Sequence, residues 1–263
     1  INESVRGYDI YIVCDVFNYS CSYDMYGRKV YMSPDDHFAD LKRVISALCS
    51  KPKRVSVIMP MLYEGRQHKR SSRESLDCAM ALKELVHLGV ENIITFDAHD
   101  QRVQNAIPDK SYQMIKALVN NVDDLNVDKD HLMIISPDEG ALHRCIYFAT
   151  QLGVNLGMFY KRRDYTRVVN GRNPIVEHQY LGDSVKGKDI IIVDDMISSG
   201  ESMLEVAMKL KNLGCGRIFV CTTFGLFCNG LDVFDKAYKD GVFYRVFTTN
   251  GVYQPQELLD REW

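Results

Sequence analysis

Six short runs of apolar and β-branched residues alternate along this chain with longer stretches of helical periodicity. The runs are nearly continuous in hydrophobicity, as expected for strands that are buried on both faces of a parallel sheet. They occupy residues 9–15, 54–60, 92–97, 131–137, 189–195 and 217–224. The alternation predicts an α/β fold in which mainly parallel sheets are flanked by helices on both faces.

Three amphipathic patterns between these runs predict helices. The first follows Ser33 and Pro34, a hydroxyl cap with proline at the first helical position. The second covers about 72–88 and stops at a glycine, and the third runs from Gly200 to near Gly214. Each helix therefore connects two of the predicted strands.

At about 150 residues per domain, the length of 263 residues suggests one large domain or two small ones. The predicted elements fall into two groups, so we expect two domains and a tail. The first domain is predicted at 1–110, the second at 111–248, and a tail with one short helix at 249–263. The chain begins with Ile1 rather than Met, so the start of the first domain is expected to be missing. An abrupt step from strand to helix suggests missing residues near 105–114 as well.

Composition and charge exclude several classes of protein. A content of 46% hydrophobic and 25% charged residues is ordinary for a soluble globular enzyme. The net charge of −3 argues against nucleic acid as the main partner. No apolar run approaches the roughly 18 residues of a membrane span, and no signal peptide is recognisable. The eight cysteines form no C-x-x-C pair, so we expect reduced core thiols in a cytoplasmic protein.

The segment DIIIVDDMISSGES (189–202) carries the clearest chemical signal. A buried strand ends in two acids, a turn rich in hydroxyls and glycine follows, and a helix begins. Free backbone N–H groups and the helix dipole make such a turn a phosphate site. Hydroxyl donors and a glycine that permits close approach complete it: Ser198, Ser199, Gly200 and Ser202.

The two acids in this segment, Asp194 and Asp195, would repel a phosphate. They are expected to face ribose hydroxyls, or a Mg²⁺ ion bound to those hydroxyls. The plainer interpretation is a capped helix with two solvated acids at its start. The combination of strand, acid pair, turn and helix favours the phosphate site.

The same segment resembles the phosphoribosyl-diphosphate loop of the type I phosphoribosyltransferase fold. The resemblance implies two tandem domains of that fold. It assigns the acid pair to ribose, and the 5-phosphate to the turn residues together with the backbone of Glu201. Glu201 and Ser202 stand where Gly-Thr is more usual. Phosphoribosyltransferases and ribose-phosphate pyrophosphokinases share this fold, so other segments must separate the two.

Two further strand ends resemble the ATP side of the pyrophosphokinases. In EGRQHKR (64–70), Arg66 and Gln67 match the family's ATP segment, and His68 replaces an acid. The arginine fork suits a polyphosphate. In FDAHDQ, His99 matches a residue that the resemblance assigns to Mg²⁺ and ATP. Outside the family context, a solvated basic turn and a surface histidine would explain both segments.

SPDEG (136–140) resembles the family's diphosphate loop, with Asp138 as the implied second Mg²⁺ ligand. Ala141 stands where a second glycine is usual. An alternative is structural, because Ser136 and Glu139 have the spacing of a helix capping box.

The segment 159–183 resembles the mobile catalytic loop of the family and carries its two basic residues, Lys161 and Arg163. A basic loop that closes over ATP would neutralise charge that develops on the transferred group. An exposed basic hairpin is the structural alternative.

The resemblance covers most of the chain and identifies it as a member of the ribose-phosphate pyrophosphokinase family, most like the bacterial clostridial members. It implies that ATP and ribose 5-phosphate are the substrates, Mg²⁺ is the cofactor, and the diphosphoryl group passes to the anomeric hydroxyl. It also implies homo-oligomers, with dimers assembling to hexamers, and no nucleic acid or membrane partner.

Two other functions stay open. A phosphoribosyltransferase that consumes phosphoribosyl diphosphate would explain the turn at 198–202 equally well, but not the first domain or its ATP segments. A non-catalytic regulatory subunit would be expected to show damage in the ribose loop or the mobile loop, and both are intact.

Overall fold

The computed structural model describes residues 1–48, 51–70, 73–105, 109–112, 127–163 and 175–263. The chain forms two compact units. Ile1–Met114 and Asn250–Gln256 form the first, and Ile115–Thr249 and Glu257–Trp263 form the second. The predicted tail is thus divided between the units, and the predicted domain limits at 110 and 248 stay predictions.

The first unit contains a four-stranded parallel sheet in the order β1-β4-β5-β6 and a separate hairpin, β2-β3. The strands are β1 Asp9–Val13, β2 Ser22–Met25, β3 Arg28–Tyr31, β4 Arg54–Ile58, β5 Asn92–Phe96 and β6 Asp109–Tyr112. The helices are α1 Pro34–Ala47 and α2 Asp77–His87, and a short 3-10 helix covers Gln101–Asn105. Apolar residues from the sheet and from both helices form one core.

Local signals in the sequence explain where α1 begins and where the prediction for α2 fails. The Ser33 hydroxyl accepts a hydrogen bond from the Asp36 N–H, and the Asp36 carboxylate accepts one from the Ser33 N–H. This reciprocal capping box confirms the predicted start of α1. The prediction that α2 starts near residue 72 is wrong, because the Gln67 side chain binds the Ser75 carbonyl and α2 starts only at Asp77.

The second unit is a six-stranded sheet in the order β12-β11-β10-β7-β8-β9. The β8-β9 pair is antiparallel, and the other four pairs are parallel. The strands are β7 Leu132–Ser136, β8 Asn155–Arg163, β9 Ile175–Leu181, β10 Asp189–Ile197, β11 Ile218–Gly225 and β12 Arg245–Phe247. The helices are α3 Leu142–Leu152, α4 Glu201–Asn212, α5 Asp232–Lys239 and α6 Gln256–Leu259.

Strand β10 lies in the middle of this sheet and is covered on both faces. Ile190 and Ile192 pack in a core with residues of α4, such as Val206. The alternate residues Ile191 and Val193 pack in a second core with residues of α3. Because successive side chains of a strand point to opposite faces, a nearly continuous apolar run is what two helical layers require.

All six predicted strands are confirmed, with ends that differ by one or two residues. The predicted third helix and the short tail helix are confirmed as α4 and α6. The six predicted runs do not include the hairpin β2-β3, the short strands β6 and β12, or the pair β8-β9, and the helical patterns do not include α3 or α5. Within the described ranges, no helix is both long and apolar enough to cross a membrane.

We predict that Ile192→Ala destabilises the second unit by about 2–5 kcal/mol, because it leaves a cavity in a fully buried strand. The matched control is Met208→Ala, whose side chain is 48% exposed on α4. That control should change the free energy of unfolding by less than about 0.5 kcal/mol. Urea unfolding followed by circular dichroism measures both, and equal losses would contradict the packing described above.

Candidate functional site

The turn between β10 and α4 presents the amino end of a helix at the edge of the sheet. Ser198 and Ser199 bend the chain, and Gly200 adopts the left-handed conformation, with φ +83° and ψ −11°. Gly200 is the cap residue of α4, and no side-chain hydrogen bond closes this cap. The amino end of a helix attracts anions through its N–H groups and its dipole, so the turn fits a phosphate.

An aromatic layer, formed by Phe234 and Trp263, supports the turn at Gly200. A Cβ atom on Gly200 would lie 2.3 Å from two ring carbons of Phe234, so only glycine fits there. The Phe234 ring stacks on Trp263, with ring centroids 5.6 Å apart. The Trp263 indole N–H donates to Asp235 Oδ1 at 2.7 Å, and Arg261 Nε donates to the same oxygen at 3.0 Å. The sequence offered no local signal for this layer, because its members are far apart along the chain.

Hydrogen bonds from the segment after β11 also hold the turn in place. The Leu226 N–H donates to the Ile197 carbonyl at 2.9 Å, and the Cys228 N–H donates to the Ser198 carbonyl at 2.9 Å. Asn229 Nδ2 donates to Glu201 Oε1 at 3.3 Å. The backbone of the turn is therefore fixed before any ligand binds.

The acid pair at the end of β10 shares a buried arginine. Arg144 Nη1 lies 3.3 Å from Asp194 Oδ1 and 3.9 Å from Asp195 Oδ1. Asp194 Oδ1 also accepts the Asp195 N–H at 2.8 Å. Burial and the neighbouring Asp195 charge raise the pKa of Asp194 well above its ordinary value, and Arg144 opposes that shift.

Arg144 was not among the residues predicted from the sequence, although a signal was present. Arg144 lies beside the buried residues Cys145 and Phe148 on α3, where a charged side chain needs a partner.

The SPDEG segment forms a tight turn at the end of β7. The Ser136 hydroxyl donates to the Asp138 carbonyl at 2.6 Å, and Asp138 Oδ1 accepts the Gly140 N–H at 3.0 Å. The capping-box alternative for Ser136 and Glu139 is wrong, because α3 begins only at Leu142 and Ser136 closes the turn instead. Since β7 and β10 are parallel neighbours, Asp138 and the acid pair lie at the same edge of the sheet.

In the first unit, the predicted ATP segments follow β4 and β5, which are also parallel neighbours. Glu64 and Asp97 both have positive φ, at 54° and 45°, just after these strands. Such a backbone is costly for residues other than glycine, and it concentrates at functional sites. Two unusual conformations at one edge of a sheet therefore support a site there.

His68 and His99 are brought together at this edge, with ring centroids 5.5 Å apart. His68 Nε2 lies 3.0 Å from Asp100 Oδ2, and Arg102 also pairs with Asp100. The hydrogen bond from Arg102 holds the pKa of Asp100 well below its ordinary value. Burial lowers the pKa of His68. His68, which replaces an acid of the family's ATP segment, therefore pairs with another acid, Asp100. Asp100 was not among the site residues predicted from the sequence.

The remaining predicted residues differ in how they are placed. Arg66 is exposed, two residues before His68, whereas Gln67 Nε2 donates to the Ser75 carbonyl at 3.0 Å and braces its own segment. Lys161 and Arg163 lie in β8, which pairs with β7. Residues 164–174 of the predicted mobile loop lie outside the described residues.

Two protein-family models match the chain, one in each half. The model described as the N-terminal domain of ribose phosphate pyrophosphokinase matches residues 1–89. The model described as a phosphoribosyl transferase domain matches residues 103–256, which is more than half of the chain.

Curated relatives carry one name. The ribose-phosphate pyrophosphokinase of Aquifex aeolicus is 28% identical over 232 residues, which cover 86% of this chain and 67% of that protein. Its namesake from Ureaplasma parvum is 29% identical and covers 74% of this chain, which spans only 58% of that protein. The ribose-phosphate pyrophosphokinase of Parasynechococcus marenigrum is 27% identical, and the match covers 98% of this chain and 72% of that protein. The predicted closeness to clostridial members stays a prediction.

Among solved structures, phosphoribosylpyrophosphate synthetase from Mycobacterium smegmatis is similar to this chain. The TM-score is 0.80 at 21% sequence identity, and the match covers 98% of this chain and 77% of that one. Together with the two family models, this likeness confirms the predicted α/β fold of two tandem type I phosphoribosyltransferase-like domains.

We predict that Gly200→Ala destabilises the second unit more than Gly187→Ala does. Both glycines have positive φ, so both variants should lose about 1–2 kcal/mol from backbone strain. An added Cβ at Gly187 meets no atom within 4 Å, whereas at Gly200 it displaces the Phe234 ring. Because Trp263 is the one tryptophan in the sequence, its fluorescence should change in Gly200→Ala only. Identical unfolding midpoints and identical emission spectra would contradict the proposed support of the turn.

Proposed function

The chain belongs to the ribose-phosphate pyrophosphokinase family, and we propose that it transfers the diphosphoryl group of ATP to the anomeric hydroxyl of ribose 5-phosphate. The products are phosphoribosyl diphosphate and AMP. The observation that carries this proposal is the turn 198–202, which is held at the sheet edge beside the half-buried Asp194 and the buried Asp195. No covalent intermediate is required, since positioning and charge neutralisation suffice for phosphoryl transfer.

In the acceptor half of the site, the 5-phosphate lies at the amino end of α4. Its donors are the backbone of Glu201 and the backbone and hydroxyl groups of the turn, from Ser198, Ser199, Gly200 and Ser202. Asp194 and Asp195 orient the ribose by accepting hydrogen bonds from its hydroxyls. The fixed backbone supports this assignment, because a preorganised turn loses little entropy when an anion binds.

In the donor half, Arg66, Gln67 and His99 hold ATP, and Lys161 with Arg163 stabilises the negative charge of the transition state. The meeting of the two ATP segments at one edge of the first unit supports the first assignment. The charge of the two basic residues on β8 supports the second, because cations aimed at a transferring phosphoryl group are a main source of catalysis.

Magnesium is the proposed cofactor, with His99 and Asp138 as its protein ligands. In the described part of the chain, no group of three or more His, Cys, Asp or Glu side chains could hold a metal ion. An incomplete set of protein ligands fits Mg²⁺, which is usually held by one or two carboxylates together with substrate phosphates. When held by these two residues, the ion would neutralise part of the negative charge of the substrate phosphates.

The proposal extends to the assembly and location of the protein. We propose homo-oligomers, with dimers assembling to hexamers, and a cytoplasmic location. The seven cysteines that the structure describes are all free thiols, which suits a reducing compartment.

We predict that the protein releases AMP from ATP and ribose 5-phosphate, and that Lys161→Ala lowers turnover by about 100-fold or more. Binding of ribose 5-phosphate should be retained, because Lys161 acts on the transferred group. The matched control is Lys186→Ala, an exposed lysine of the same unit, which should keep the wild-type rate. A coupled AMP assay and calorimetric titration measure the two properties.

Three outcomes would count against the proposal. Unchanged turnover would remove Lys161 from the site. A wild-type protein that consumes phosphoribosyl diphosphate and forms no AMP would be a phosphoribosyltransferase. A protein that binds ATP and forms no AMP would be a regulatory subunit.

A further inference from the structure

We propose that Arg144 is a positioning residue that holds Asp194 and Asp195 in the orientation that recognises the ribose hydroxyls. The inference rests on the proposed function, since it assumes that these acids contact the sugar. It assigns Arg144 a share in the discrimination of ribose 5-phosphate from sugar phosphates that lack a hydroxyl.

The first support is geometric. One guanidinium nitrogen of Arg144 lies 3.3 Å from Asp194 Oδ1 and 3.9 Å from Asp195 Oδ1. Asp194 Oδ1 is held a second time by the Asp195 N–H. Contacts to one oxygen of each carboxylate fix the rotation of both groups, and so fix where their remaining oxygen points.

The second support is the burial of Arg144 and Asp195, beside which Asp194 is half-buried. Arg144 is 8% exposed and Asp195 is 2% exposed. An arginine keeps its charge at any ordinary pH, and a buried charge requires a partner of opposite sign. The adjacent carboxylates of Asp194 and Asp195 also repel each other, and the Arg144 charge offsets that repulsion. The loss of Arg144 therefore disturbs both acids.

The third support is the rigidity of the helix that carries Arg144. The next residue, Cys145, is fully buried, and its thiol lies 3.4 Å from the Val193 carbonyl oxygen of β10. Phe148, one turn further along α3, packs in the same core as Ile191 and Val193 of β10. The start of α3 is therefore fixed against the strand that carries the acids, which a positioning residue requires.

The charges around Asp194 also support a positioning role for Arg144. Asp138 lies close enough to add to the electrostatic repulsion on Asp194, so several carboxylates gather where a phosphorylated sugar must bind. Arg144 offsets part of that negative charge from inside the protein. It can do so without occupying the side on which the sugar enters, because its carrier α3 covers one face of the sheet.

The test is the preference for ribose 5-phosphate over 2-deoxyribose 5-phosphate, measured by calorimetric binding to the full chain. Arg144→Lys keeps the charge and loses the planar fork, and Arg144→Met loses both. We expect the preference to fall by about 10-fold or more in Arg144→Met, with a smaller fall in Arg144→Lys. The KM for ribose 5-phosphate should rise more than the KM for ATP.

The matched control is Arg217→Met. Arg217 Nη2 pairs with Asp189 Oδ2 at 2.6 Å, at the opposite end of the same strand, β10. Its loss should lower stability without changing the preference between the two sugars. A merely structural role of Arg144 would give the same pattern as this control.

Each result decides the inference. A wild-type preference in folded Arg144→Lys and Arg144→Met would overturn it. If Arg144→Met does not fold, Arg144→Lys alone decides, and a wild-type preference there would overturn the inference as well. Because binding is measured without catalysis, an absence of AMP formation would count against the proposed function and leave this result intact.

Discussion

The parallel pairing of β10 with β7 on one side and β11 on the other is the constraint on which the second unit depends. Ile190 is in register with Met133 and with Ile218, and all three side chains are fully buried. This pairing brings the carboxyl ends of three strands to one edge of the sheet. The acid pair, the turn 198–202 and the Asp138 turn lie together because they occupy the carboxyl ends of the neighbouring strands β10 and β7.

The turn after β10 is held by groups that are not among the proposed ligand-binding residues. Phe234 fills the space that a side chain at position 200 would need, and Trp263 stacks on Phe234. Arg144 approaches the acids from α3, on the other face of the sheet. The geometry of the proposed phosphate site is thus set by packing on both faces of one strand, so that little rearrangement would be needed when a substrate binds.

Features that depend on local sequence were predictable, and features that depend on distant contacts were not. The capping box at Ser33 and the strand-turn-helix around Gly200 follow from neighbouring residues, and both are confirmed. Arg144 and Asp100 acquire their partners only when separate segments meet. The start of α2 was missed for the same reason, because the Gln67 side chain binds the backbone carbonyl of Ser75, eight residues further along the chain.

The measurement that tests the central claim most directly is a titration of the isotope-labelled chain with ribose 5-phosphate, followed by amide resonances. If the turn binds the 5-phosphate, the largest shifts will fall on the backbone N–H groups of residues 199–202, and ribose without phosphate will not reproduce them. Unchanged resonances at these four positions in the presence of saturating ribose 5-phosphate would contradict the account.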